Sequence, residues 1–256
     1  MDELQQSRFP RSSKYDPQWQ IDGAFGANPL WLAEWLCEDA KLEPGMRVLD
    51  LGCGRAKSSV FLAKEFDVEV WAADLWITPE ENEKRVAEQQ LDDRIHCVST
   101  EAMRLPFEFG QFDAILAFDS IQYYGTDALF LPYIVQFLKP NGLLGFASAA
   151  TMREIRHPIP AHLERLWMPC GWSLRTAEWW RDHWSRTGIV NVQFAETMED
   201  GWRYWLDWIT AIDCAEWYTN TLKEDAGQNL GYIRVLANRS DNSPDFPYDL
   251  RTGQFL

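Results

Sequence analysis

Apolar residues along this chain follow two rhythms. Between positions 45 and 150, short apolar runs alternate with longer amphipathic stretches. The runs at 47–51 (RVLDL), 68–73, 95–98, 112–118 and 143–149 read as buried strands. The stretch 58–66 reads as a helix. Thr78-Pro79-Glu80-Glu81 is a capping box with proline in the first turn, and it predicts a helix to about position 90. Thr126 predicts a helix to position 138, closed by the turn signal Lys139-Pro140-Asn141-Gly142. Upstream, Asn28-Pro29 is a helix entry, Leu30, Trp31, Ala33, Trp35 and Leu36 follow, and Glu43-Pro44-Gly45 ends the helix. Residues 1–20 are polar and read as loosely ordered at the start. Strand and helix alternating at this spacing predict an α/β fold, a parallel sheet with helices on both faces.

Beyond position 150 the rhythm changes. Residues 151–175 are irregular, with Pro158, Pro160 and Pro169. A helix capped by Thr176 to position 185, a strand at 189–195, one long helix over 202–222 and a strand at 231–237 are predicted next. The organisation is thus 1–44, an N-terminal cap and helix; 45–150, the core; 151–240, the rest of the same domain; and 241–256, an extended tail. Nine of the 14 Trp lie between 167 and 217. Trp202, Trp205, Ile209 and Ile212 recur at helical spacing, as do Trp180 and Trp184, which reads as packing stripes in preference to an aromatic lid.

The formal charge of −15 repels phosphate backbones and anionic lipid, so no nucleic acid and no membrane is expected as a partner. The five Cys (Cys37, Cys53, Cys97, Cys170 and Cys214) are odd in number and not closely spaced, which fits free thiols in a reducing cytoplasm. No signal-peptide core and no apolar run of membrane-spanning length is present. No metal is expected.

The chemistry concentrates at Asp50-Leu51-Gly52-Cys53-Gly54, a strand that ends in Asp and runs through G-x-G into a helix. The glycines let the backbone turn tightly and let a ligand approach closely. The third glycine of a dinucleotide fingerprint would fall at Lys57 and is missing. Asp74 ends the next predicted strand, where a carboxylate can accept both hydroxyls of a ribose. Ser99-Thr100-Glu101-Ala102-Met103 ends the third strand, and Phe118-Asp119 ends the fourth.

Taken in order, LDLGCG, Asp74 and TEAMRLPFEFGQFDAILAF resemble the class I S-adenosylmethionine (SAM)-dependent methyltransferases, closest to the quinone-biosynthesis and small-molecule branch. The resemblance covers about residues 45–150. It implies a Rossmann-like, seven-stranded, mostly parallel sheet whose last strand is antiparallel, with a helical insertion between strands six and seven. It implies SAM as cofactor, with Asp50, Gly52, Cys53 and Gly54 at its methionine part and Asp74 on the ribose. Leu75, Trp76, Glu101 and Ala102 would lie at the adenine, and Phe118, Asp119 and Tyr15 near the sulfonium end. Arg55 and Lys57 depart from the small residues usual there; either could meet an anionic group or point to water, and the second reading is preferred.

Methyl transfer is a direct displacement that rests on alignment, and a base is needed only for a protonated nucleophile. His157, His162 and Tyr123 are the candidate catalytic residues, while His96 reads as structural. The motif Asn/Asp-Pro-Pro-Tyr is absent. With the acidic charge, this favours a small-molecule substrate over a protein or RNA. A non-catalytic SAM-binding subunit and a nicotinamide-dependent oxidoreductase are the remaining readings. The apolar second half is compatible with a homodimer.

Overall fold

A computed structural model describes residues 4–167, 171–241, 248–249 and 254–255. Cys170 and most of the 241–256 tail are not among them, so the expectations made there lie outside the described residues. Seven strands form one sheet: β1 (Arg47–Leu51), β2 (Glu69–Asp74), β3 (Ile95–Ser99), β4 (Phe112–Phe118), β5 (Leu138–Thr151), β6 (Val190–Thr197) and β7 (Leu230–Arg239). Their order is β3-β2-β1-β4-β5-β7-β6. β1 to β5 pair in parallel, and β7 lies antiparallel between β5 and β6. The sheet reverses direction of growth between β1 and β4, so their carboxyl ends open a crevice where ligands of α/β folds bind. A two-stranded ribbon, β8 (Tyr248–Asp249) with β9 (Gln254–Phe255), completes the strands.

The helices are α1 (Pro17–Ile21), α2 (Pro29–Cys37), α3 (Lys57–Phe66), α4 (Pro79–Glu88), α5 (Phe130–Ile134), α6 (Glu164–Trp167), α7 (Ala177–Ser185), α8 (Gly201–Ala211) and α9 (Glu216–Asp225). Their caps follow the residues that signal them. Asn28 Oδ1 accepts from Leu30 N at 2.9 Å and Trp31 N at 3.3 Å. The Thr78–Glu81 box is closed in both directions, and Thr176 caps α7 through Trp179 N. Two apolar layers cover the two faces of the sheet. One gathers α2, α3 and α8; the other gathers the region of α5 and α7. Trp180, Trp184, Trp205 and Ile209 are buried there, while Trp202 and Ile212 are half-buried, so the stripes are core at most but not all of their positions.

Several expectations are corrected. The helix predicted over 202–222 is two helices, because Asp213 turns left-handed at φ +53° after Ile212. Aspartate tolerates that region, so no glycine or proline marks the break. Thr126 caps nothing: α5 starts at Phe130, which puts Pro132 in the first turn, where its missing N–H costs no hydrogen bond. β5 is longer than 143–149. The 139–142 signal survives inside it as an irregularity, with Leu138 paired to Phe112, Leu143 to Ala114 and Asn141 at φ +60°. From residue 4 onward the N-terminal stretch is not loose. Leu4 and Phe9 are buried, and Phe9 stacks on Trp31.

Candidate active site

The glycine loop after β1 is shaped by its own sequence. Gly52 (φ +74°) and Gly54 (φ +53°) hold left-handed conformations, and a Cβ on Gly52 would come within 2.5 Å of Ser120 Cβ. Glycine is therefore required by the turn and by the approach of the chain after β4. Ala56 continues the turn at φ +55° and starts α3. Asp50 does not reach the cavity. It is fully buried beneath the loop, and Ser58 and Ser59 of α3 both donate to its Oδ2 at 2.6 Å. Burial raises its pKa to about 6 against those hydrogen bonds, and its Oδ1 is unpartnered.

Asp74 sits across the crevice. Its Oδ2 accepts from Gly54 N at 2.8 Å, and its Oδ1 accepts from Trp76 N and Ile77 N at 2.8 and 2.9 Å. One carboxylate thus locks two loops together and turns its remaining lone pairs to the cavity. That cavity is about 1130 Å³, its open mouth included, and it runs from Asp74, Leu75, Trp76, Thr100 and Ala102 past Gly52, Cys53 and Gly54 to Phe118 and Asp119. Trp76 (65% exposed) meets Tyr123 (54% exposed) edge-to-face at 5.4 Å on the rim. Ser120 Oγ and Tyr124 Oη both donate to Leu51 O and stiffen the wall between them.

The remaining wall comes from residues 23–29, a strap that leads into α2. The glycine loop and the acid at the end of β2 give no hint of it; the sequence signal is the glycine pair Gly23 and Gly26 just ahead of Asn28-Pro29. Lys57 and Arg55 do not simply point to water. Lys57 is buried against the strap and donates to Gln20 O and Asp22 O at 2.6 and 2.8 Å, and burial lowers its pKa to about 8. Arg55 Nε is buried without a partner, and both side chains line the cavity. Asp119, at φ +54°, accepts from Ala27 N at 2.7 Å and Ala149 N at 3.1 Å; burial raises its pKa against four hydrogen bonds. Trp208 of α8 also reaches the cavity.

Four candidates lie elsewhere. Tyr15 turns away and donates to Glu65 Oε1 at 3.2 Å. Glu101 pairs with Arg104 at the surface, leaving Thr100 and Ala102 on the cavity. His157 is exposed, outside the cavity lining. His162 is hydrogen-bonded to the buried Asp225 at 2.9 Å, on the α9 side. His96 pairs with Glu69 on the sheet.

A strand-end carboxylate facing a glycine loop at the switch point of this sheet makes a crevice of the kind in which α/β folds bind their ligands. Residues 48–142 match the family model described as a methyltransferase domain. The match covers the glycine loop and the strands β1 to β4, and the rest of the chain lies outside it. Among curated relatives, the 2-methyl-6-phytyl-1,4-hydroquinone methyltransferase of Synechocystis sp. is 27% identical over 66% of this chain and 49% of its own length. The chain spans half or less of the first curated relatives it matches. Among solved structures, the [4+2]-cyclase SpnF superposes with a TM-score of 0.67 at 19% identity, over 81% of this chain and 80% of its own. Phosphoethanolamine N-methyltransferase 2 of Haemonchus contortus, solved with S-adenosyl-L-methionine, gives 0.67 at 17% identity, over 94% and 60%. At those identities the likeness is one of fold.

Proposed function

We propose that the chain is a SAM-dependent methyltransferase acting on a small-molecule acceptor. The observation that carries this reading is that Gly52, Gly54 and Asp74 share one groove of a single cavity. The residues present fit the cofactor. Two glycines leave the groove floor bare of side chains, and the buried, unpartnered Arg55 Nε and the ammonium of Lys57 suit its carboxylate. Asp74 would hold the ribose hydroxyls, with Leu75, Trp76 and Ala102 flanking the adenine. Bound SAM supplies an electrophilic methyl on a sulfonium. The chain's own work is then to orient the acceptor and exclude water, through the strap, Tyr123, Tyr124 and Trp208. Of the candidate catalytic residues, Tyr123 lies on the cavity lining, whereas His157 and His162 lie outside it.

The acidic surface supports a small molecule over a nucleic acid, and among the described residues no helix is long and apolar enough to cross a membrane. Calorimetric titration with S-adenosylhomocysteine, with NAD as control, tests the reading. Micromolar binding of the first alone is expected, and Asp74→Ala is expected to weaken it by roughly tenfold or more, the loss of hydrogen bonds to a charged acceptor. Unchanged affinity in that variant would overturn the ribose placement. The structural neighbour called a cyclase shows that this fold also houses other chemistry. Turnover is therefore scored separately, as transfer of labelled methyl from SAM to a panel of small acceptors. Binding without transfer to any acceptor would favour the non-catalytic SAM-binding subunit.

A further inference from the structure

The peptide joining Gly26 to Ala27 is gripped at both ends. Its carbonyl accepts from Trp208 Nε1 at 2.9 Å, and its N–H donates to Asp119 Oδ2 at 2.7 Å. The two side chains stand 182 and 92 positions along the chain from the groups they hold. No other orientation of that peptide plane satisfies both, since rotating it withdraws the carbonyl and the N–H together. The fit is close. Gly26 has φ +66°, and a Cβ there would come within 2.7 Å of Asp119 Oδ2. Asp119 keeps its own left-handed conformation under four hydrogen bonds.

The upstream end of the strap is held independently. Lys57 takes the carbonyls of Gln20 and Asp22, and Arg55 packs so closely on Gly23 that a Cβ there would come within 2.7 Å of its Nε. Between the two anchors, Phe25 lies over the glycine loop: a Cβ on Gly54 would be 3.2 Å from Phe25 Cζ. Phe25 is 49% exposed and lines the cavity, so what keeps its ring there is the backbone of the strap, not burial.

We infer that Trp208 is a positioning residue. By holding the 26–27 peptide against Asp119, it fixes Phe25 over the glycine loop and so sets affinity for the molecule bound along that loop. The inference rests on the methyltransferase reading for the identity of that molecule, but not for the clamp itself. Trp208 also fills space, as its edge contact with Trp31 at 6.0 Å shows. A packing role and a positioning role therefore have to be separated. Trp205 provides the control. It lies one turn away on α8 and is equally buried, but its N–H goes to Tyr218 Oη at 3.0 Å, away from the strap.

The experiment compares Trp208→Phe with Trp205→Phe in the full chain. Each loses an indole N–H and part of a buried ring, so a comparable fall in melting temperature is expected of both. Only Trp208→Phe should weaken S-adenosylhomocysteine binding, by roughly fivefold to tenfold, the ratio set by one buried hydrogen bond. In turnover the same variant should raise KM for SAM more than it lowers kcat. Hydrogen exchange at the Ala27 amide, followed in the ligand-free protein, reads the clamp directly: its protection should fall in Trp208→Phe and hold in Trp205→Phe. Equal weakening by both variants, wild-type affinity in Trp208→Phe, or unchanged protection at Ala27 would each overturn the inference. Gly26→Ala, whose new Cβ meets Asp119, is read the same way should Trp208→Phe not fold. Failure of the wild-type protein to bind S-adenosylhomocysteine would instead remove the cofactor reading, with the Ala27 measurement still deciding the clamp.

Discussion

Asp50, Asp74 and Asp119 each lie at or within one residue of the end of a strand, and in sequence they look alike. Their surroundings give them different work: Asp50 braces α3 from below, Asp74 joins the two loops that face the cavity, and Asp119 holds the strap. The place of Asp74 beside the glycine loop was legible because it ends the strand that follows that loop. The work of the other two was not, because it depends on Ser58, Ser59 and Ala27, ordinary residues until the fold brings them close. Asp50 carries a pH signature. Its folded pKa is raised from 3.8 to about 6, so the native state takes up a proton that the unfolded chain releases. Its contribution to stability therefore falls as pH rises from about 4 to about 6 and stays level above that, a change of about 3 kcal/mol. Urea midpoints of wild type and Asp50→Asn across that range should diverge by this slope. Parallel curves would show that Asp50 titrates as an ordinary carboxyl.

At the scale of elements, helix starts were legible and helix ends were not. Asn28, Thr78 and Thr176 announce caps because a hydroxyl or amide oxygen one residue ahead of a helix can accept from the free backbone N–H groups of its first turn. The ends rely on left-handed residues, and here these are aspartate and alanine in place of glycine: Asp67 after α3, Asp213 after α8 and Ala226 after α9. Ala226 is exposed at φ +47°, a conformation that costs a Cβ-bearing residue about 1 kcal/mol. Ala226→Gly is expected to raise stability by up to about 1 kcal/mol, seen as a higher melting temperature. A lower one would mean that the entropy glycine adds to the unfolded chain outweighs the strain relieved. The strap was the element least visible in advance, since its shape comes from residues distant in sequence that hold it.

For the molecule as a whole, the parallel sheet with helices on both faces followed from the alternation of strands and helices, while the strand order came only with the structure. The antiparallel ending rested on family likeness, because a buried strand reads the same in either direction. The charge of −15 acts at this scale too: self-repulsion opposes the compact state. Raising ionic strength from about 0.01 M to about 0.15 M shortens the screening length from roughly 30 Å to roughly 8 Å, and the melting temperature should rise by a few degrees. A fall would point to dominance of attractive clusters such as Arg234 with Glu196 and Asp39.

The place of β7 has a consequence for how the molecule is made. β7 is the last strand of the sheet to be synthesised, but it lies inside the sheet, with β5 on one side and β6 on the other. While the chain is still on the ribosome, β5 can dock on β4 and then waits with its other edge bare. That edge belongs to a strand in which the run Leu144–Ser148 is buried without a break. The nascent protein therefore carries a sticky flank from about residue 151 until Leu230–Arg239 emerges. Any slowing of translation in that interval lengthens its exposure to aggregation and its need for a chaperone.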